Sequence, residues 1–417
     1  MKSKNYLLVV LALFFMQVQA QWSVVNSISK GNLYSVHFVN VDTGFTFHEF
    51  GTLRRTADGG QTWDSVPAPF TGFVFDYAFP TQSVGYAVGG AWFPFANYYS
   101  YSIMKTLDGG VTWDSVLADH SGGVFTSIHA LSTTEYFATG EGIIIHSANG
   151  GLTHDTVYPA QGNYIRYGKV QFTTATTGYV SGGEYVAGGV YASYLYKTTD
   201  GGTSWQRVYN DTLKQGLQDF VATAAGEIIL LGEKGYVIKS TNGGSSWQKL
   251  AMADTSQVLT KLELNDGKLY AIGTDPATKN SAILKSTDGG INWQVEIAQP
   301  NSLGAFADMR FPSAGTGYAV SSSQVYKNTK LISLGESGVP GGFKLYPNPA
   351  NELVTIELSN AVSAAIFVYN TLGQRVMTLN PSGTKQVEVN VNSLRAGLYF
   401  IEVQSDGKRF VERLVKQ

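Results

Sequence analysis

One eight-residue motif occurs six times along this chain, and its spacing leaves few folds open. The copies are Thr56-Ala-Asp58-Gly-Gly60-Gln-Thr62-Trp63, Thr106 to Trp113, Ser147 to His154, Thr198 to Trp205, Ser240 to Trp247 and Ser286 to Trp293. The Asp or Asn position falls at 58, 108, 149, 200, 242 and 288, giving steps of 50, 41, 51, 42 and 46 residues. Periods of that size match one four-stranded propeller blade rather than a solenoid turn. Each period supplies the strands. An apolar stretch such as Tyr34-Ser-Val-His-Phe-Val39 is followed by a Gly-containing turn, a second strand such as Gly85-Tyr-Ala-Val88, and a short third strand that runs into the motif. A fourth, such as Trp63-Asp-Ser-Val66, follows it. The motif is then the turn between strands three and four.

Its residues explain themselves as a folding device. Asp58, Asp108, Asn149, Asp200, Asn242 or Asp288 accepts hydrogen bonds from nearby backbone N–H groups, the glycines adopt φ values that other residues resist, and the Trp covers the blade with a large ring. Asn at 149 and 242 shows that the negative charge is dispensable, which a calcium site or a catalytic carboxylate would not allow. Neither a metal nor another cofactor is expected. A seventh blade is expected at Ala307 to Thr329, where Phe311-Pro312 echoes Phe79-Pro80 and Gly317-Tyr-Ala-Val320 echoes Gly85-Tyr-Ala-Val88. It lacks a motif and a fourth strand. The missing piece stands at the other end as Trp22-Ser-Val-Val25, so the two ends close the circle by sharing a blade, which removes open sheet edges.

Composition supports an all-β chain and narrows its partners. The 417 residues include 47 glycines and 13% aromatics, as many short strands and tight turns require. Cysteine is absent, which excludes disulfides and thiolate chemistry. A net charge of -2 with 14% charged residues provides no field for nucleic acid or an anionic membrane. At the start, Lys2 and Lys4 precede the apolar run Tyr6 to Met16 and the small-residue site Val18-Gln19-Ala20, the pattern of a cleaved signal peptide. Eleven apolar residues fall short of the roughly 20 that cross a bilayer. The expected organisation is a signal peptide at 1–20, a seven-bladed propeller at 21–330, a Gly/Ser/Pro-containing linker at 331–342, and a small β-sandwich at 343–417, in a monomer.

Two places on the propeller offer chemistry. The connections between strands two and three carry insertions rich in rings: Trp92, Phe93, Tyr98 and Tyr99 in one blade, Tyr185 and Tyr191 in another. Such rings either form a platform for sugars or partner side chains, or pack on one another over the blade. The second place is the axis. Aligning the innermost strands brings Ser35, Asp76, Ser127, Lys169, Asp219, Lys261 and Asp308 to one level, and His37, His129, Gln171, Glu263 and Arg310 two residues on, on the same side by the period of two. Lys169, Lys261 and Arg310 are candidate ligand contacts, and Asp76, Asp219 and Asp308 candidate acid–base residues. A water-filled polar channel is the alternative reading.

The Ser/Thr-x-Asp-Gly-Gly-x-Thr/Ser-Trp repeat resembles the Asp-box of BNR-repeat propellers, and its cadence with Gly-Tyr-Ala-Val is most similar to the Ycf48-like photosystem II assembly factors. Asp-boxes also occur in sialidases and xyloglucan-active hydrolases, so the box does not choose a function. A sialidase would need three converging arginines. The propeller has Arg54, Arg55, Arg166, Arg207 and Arg310, of which at most Arg166 and Arg310 lie near the axis. The xyloglucan-active enzymes work in a cleft between two propellers, and one is expected here. In the tail, Tyr346-Pro-Asn-Pro-Ala350, Val368-Tyr-Asn-Thr-Leu-Gly373, Leu394-Arg-Ala-Gly-Leu-Tyr-Phe400 and Leu414-Val-Lys-Gln417 resemble a type A sorting domain of the type IX secretion system. That resemblance implies a Bacteroidetes-like source, the type IX machinery as partner, and a secreted or surface-held product. The resulting expectation is a binding or scaffold propeller with a polysaccharide or protein ligand, the alternative being a glycan hydrolase using the axial carboxylates.

Overall fold

The computed structural model describes residues 21–417 apart from 29–31, 49–51, 68–71, 94–97, 120–122, 158–164, 187–189, 212–215, 233–235, 251–257, 330–342, 363–364, 371–374, 382 and 406–407. The signal-peptide expectation at 1–20 lies outside the described residues. The rest forms two compact units, Gln21–Asn328 and one containing Thr329–Gln417.

The first unit is a seven-bladed β-propeller. Blade 1 runs outward as Leu33–Phe38, Gly44–His48, Thr52–Thr56 and Asp64–Val66, each strand antiparallel to the last. Blades 2 to 6 repeat this order, with innermost strands Phe73–Ala78, Phe125–Ala130, Arg166–Phe172, Leu217–Ala222 and Val258–Asn265. Blade 7 contributes Phe306–Ser313, Thr316–Ser321 and Gln324–Thr329, and Gln21–Ser27 pairs with the last of these as its fourth strand. Each innermost strand touches the next, and that of blade 7 touches that of blade 1. The ring is closed.

Aromatic stacking joins the blades. Phe79 of blade 2 lies parallel to Phe45 of blade 1 at 5.2 Å, and Trp113 meets both edge-on at 5.9 and 5.8 Å. Phe172 of blade 4 and Phe137 of blade 3 stack at 4.7 Å under Trp205 in the same way. The motif Trp therefore covers a seam between two blades. Trp22 takes this place in blade 7, 6.0 Å from Phe311, which lies against Tyr270 of blade 6. The Gly of Gly-Tyr-Ala-Val is explained by close approach: a Cβ at Gly317 would stand 2.5 Å from the Phe311 ring. Two of the expected loop insertions are instead longer hairpins. Gly85–Phe93 pairs with Tyr98–Thr106 as far as Phe93 opposite Tyr98, and Gly178–Val186 pairs with Val190–Thr198 as far as Val186 opposite Val190. Their aromatic and β-branched residues favour continued strand pairing over a free loop.

The second unit holds a three-stranded sheet, Phe343–Tyr346, Leu353–Val362 and Thr384–Asn390, and a four-stranded one, Arg375–Leu379, Ala365–Asn370, Gly397–Ser405 and Lys408–Lys416. Val354, Ile356, Val389, Ile366, Val368, Ile401 and Leu414 share one core. The two ends of the tail recognise each other. The Val415 N–H donates to Asn348 Oδ1 at 2.9 Å, and the Gln417 N–H to the Ala350 carbonyl at 2.9 Å. Tyr346-Pro-Asn-Pro-Ala350 and Leu414-Val-Lys-Gln417 are thus halves of one backbone arrangement.

Candidate functional site: an axial polar ring and its aromatic rim

Every innermost strand carries a β-bulge at the same level. The pairing register shifts between Leu33 and Ser35, Val74 and Asp76, Phe125 and Ser127, Leu217 and Asp219, Leu259 and Lys261, and Phe306 and Asp308; in blade 4 the shift spans Gly168 and Lys169. A bulge leaves one residue unpaired and re-aims its neighbour. Two sets of side chains result.

The first set is the expected level Ser35, Asp76, Ser127, Lys169, Asp219, Lys261 and Asp308, and it ties each blade to the next. Asp308 Oδ1 accepts the Met309 N–H at 2.9 Å while its Oδ2 accepts the Val36 N–H of blade 1 at 3.0 Å. Asp219 does the same with Phe220 at 2.7 Å and Leu262 of blade 6 at 2.9 Å. Asp76 does so with Tyr77 at 3.0 Å and Ile128 of blade 3 at 3.1 Å. The lysines bridge two further junctions, Lys169 to Asp219 at 3.0 Å and Lys261 to Asp308 at 2.8 Å. Hydroxyls serve the remaining two: Ser35 Oγ donates to the Val74 carbonyl at 3.3 Å, and Ser127 Oγ accepts the Val170 N–H at 3.3 Å. All seven junctions have a staple.

Two residues further on, the structure places His37, His129, Gln171, Glu263 and Arg310 as the period of two implies. Arg310 pairs with Glu263, and with Asp76 at 3.2 Å. Burial opposes its charge, but the carboxylates of Asp308, Glu263 and Asp76 outweigh that and hold the guanidinium protonated. Burial likewise works against the Asp308 carboxylate, and Lys261 and Arg310 bring its pKa below the ordinary value. His37 stacks on Phe79 at 5.5 Å; burial, with Arg310 adding to it, lowers its pKa to about 4. It is neutral at pH 7. Arg166, the other arginine expected near the axis, pairs with Glu141 at 3.4 Å and is half-exposed.

The second set is the bulged residues themselves: Tyr34, Phe75, Thr126, Gly168, Gln218, Thr260 and Ala307. Sequence alignment of the strands missed them, because a bulge breaks the alternation used to read them; their signal was only that each precedes a ring residue. Tyr34 is 41% and Phe75 39% exposed. Phe73 lies between them, edge-on to Tyr34 at 5.9 Å and stacked on Phe75 at 6.0 Å. These residues open the innermost strands, so they stand at the end of the propeller where the long hairpins between strands two and three emerge. Trp92 is paired with Tyr99, Phe93 with Tyr98, and Tyr185 with Tyr191 at those hairpin tips. The side chains of these six expected contacts lie outside the described residues.

The motif turns sit at the opposite end. Asp58 Oδ1 accepts from the Thr62 N–H at 2.9 Å and its Oδ2 from the Thr62 hydroxyl at 2.7 Å. In the amide copies the side-chain bond is reversed: Asn149 Nδ2 donates to Thr153 Oγ1 at 2.8 Å, and Asn242 Nδ2 to Ser246 Oγ at 2.8 Å. A hydroxyl donates or accepts equally well, which is why Asp and Asn interchange here.

Residues 344–417 match the family model of the secretion system C-terminal sorting domain, and residues 165–331 that of the photosynthesis system II assembly factor YCF48. Among solved structures, YCF48 bound to D1 peptide is 18% identical with a TM-score of 0.58, covering 75% of this chain and 96% of that one. YCF48 from Cyanidioschyzon merolae is 14% identical with a TM-score of 0.54, covering 74% and 98%. The GH74 xyloglucanase from Xanthomonas campestris is 14% identical with a TM-score of 0.56, covering 82% of this chain and 60% of that one. At such identities the likeness is one of fold. No curated protein matches the chain. The chain carries a Ycf48-like propeller and a type IX sorting domain, and a domain of that kind directs export.

Proposed function

We propose that the chain is an exported binding module, delivered by its sorting domain and engaging its ligand with the propeller face that carries the long hairpins between strands two and three. The observation that carries this reading is the arrangement at the axis. Asp76, Asp219 and Asp308 each commit both carboxylate oxygens to backbone N–H groups of two blades, and Lys169, Lys261 and Arg310 are each paired with a carboxylate. A general acid or base must be free to exchange a proton with substrate. These groups are holding the ring shut, so the hydrolytic alternative draws less support than binding. Exposed aromatic side chains, in contrast, suit recognition through stacking. A signal peptide at 1–20 takes the chain to the periplasm, and the sorting domain takes it to the outer surface.

The test is affinity electrophoresis of the mature chain through gels containing a polysaccharide panel, with Trp92→Ala beside it, and retention of surface proteins on the immobilised chain. Retardation or retention that Trp92→Ala abolishes supports the hairpin face as the contact surface. If neither polysaccharide nor protein is held by the parent chain, the binding reading fails.

A further inference from the structure

We infer that the bulge ring at the mouth of the axis is a subsite for an uncharged sugar residue of a neutral glycan, with Tyr34 and Phe75 as its stacking platform. This rests on the binding reading above and names the ligand class and the residues.

Three observations lead there. First, the ring is charge-free: Tyr34, Phe75, Thr126, Gly168, Gln218, Thr260 and Ala307 include no ionisable acid or base of the Asp, Glu, Lys, Arg or His type. Among the described residues, every cation below the ring is already paired, Lys169 with Asp219, Lys261 with Asp308, and Arg310 with Asp76 and Glu263, so none is left to receive an anion. An anionic ligand would lose hydration and meet no free cation, and a cationic one would find no carboxylate among the ring residues themselves. Second, Tyr34 and Phe75 belong to none of the buried cores of the described propeller residues, yet Phe73 holds both rings in place, one by its edge and one by its face. Rings that are exposed and already ordered bind at little entropic cost. Third, the rest of the mouth offers the exposed amide of Gln218, while the exposed hydroxyls of Thr126 and Thr260 donate to the Tyr167 and Ile272 carbonyls and keep an oxygen that can accept. A pyranose ring presents a C–H face for stacking and hydroxyls at its edge, matching a platform on one side and donors and acceptors on the other.

The experiment titrates the mature chain calorimetrically with neutral gluco-, manno-, xylo- and galacto-oligosaccharides and with an oligogalacturonate. One neutral series is expected to bind. Tyr34→Ala and Phe75→Ala should each weaken it about tenfold with an unchanged melting temperature. Affinity should not change when NaCl is raised from about 50 to 500 mM. Binding that is lost in Trp92→Ala but intact in both axial variants overturns the axial subsite and leaves the binding reading standing. Preference for the oligogalacturonate, or a steep fall with salt, overturns the neutral-ligand assignment. Should no oligosaccharide bind while a surface protein is retained, the ligand is a protein and the inference fails alone.

Discussion

Asp308 shows how much a single side chain carries here, since one carboxylate holds its own blade, the Val36 N–H of blade 1 and the Lys261 ammonium of blade 6. Replacing it leaves a half-buried ammonium and a buried N–H without this acceptor. Asp308→Ala is expected to cost about 3 kcal/mol or more, read from the midpoint of urea unfolding. His37 gives the ring a pH dependence whose sign follows from linkage. Its folded pKa of about 4 lies below the ordinary 6.5, so between those values the unfolded chain binds a proton that the native state refuses. Stability from this residue is full above about pH 6.5 and falls as the pH drops towards 4, and His37→Gln should flatten that limb of a pH series of unfolding curves. A second limb lies lower. The Ser204 hydroxyl and N–H and the Thr198 hydroxyl hold Asp200 at about 2, and the Asn292 N–H and side chain with the Ser286 hydroxyl do the same for Asp288. Their contribution is present above the ordinary carboxylate value and disappears towards pH 2. The sequence showed the ring residues but not their use, because alternation fixes the side of a strand and not the partner across a seam.

At the scale of the element, the strand Gln21–Ser27 does most for its length. It covers the third strand of blade 7, puts Trp22 on Phe311, and leads through the Ile28 N–H to Ser323 O bond at 2.7 Å into blade 1. Removing residues 21–27 would leave Gln324–Thr329 as an open edge beside an unfilled aromatic seam. The shortened chain is expected to melt well below the parent in calorimetry and to associate more than the parent in light scattering, while Trp22→Ala, which keeps the strand, loses about 3 kcal/mol and scatters as the parent does. This closure was legible as a fourth strand missing from one end and present at the other. The bulges were not. A bulge is a property of two paired strands, and nothing in Phe73-Val-Phe-Asp76 alone says that Phe75 is the residue left over.

The whole molecule divides its work between two units with separate cores. Deleting residues 343–417 should leave a folded propeller, with circular dichroism and melting close to the parent, that accumulates in the periplasm on cell fractionation instead of reaching the surface. The repeat, its period, the missing fourth strand and the four tail motifs were enough, read as sequence, to determine the propeller, its closure and the sorting domain. These depend on local turn chemistry and on strand patterns that each segment carries by itself. Tertiary structure alone decided what the axial charges do and which rings face out. Both depend on the distance between residues in different blades, Asp308 and Val36 or Tyr34 and Phe75, which only the closed ring sets.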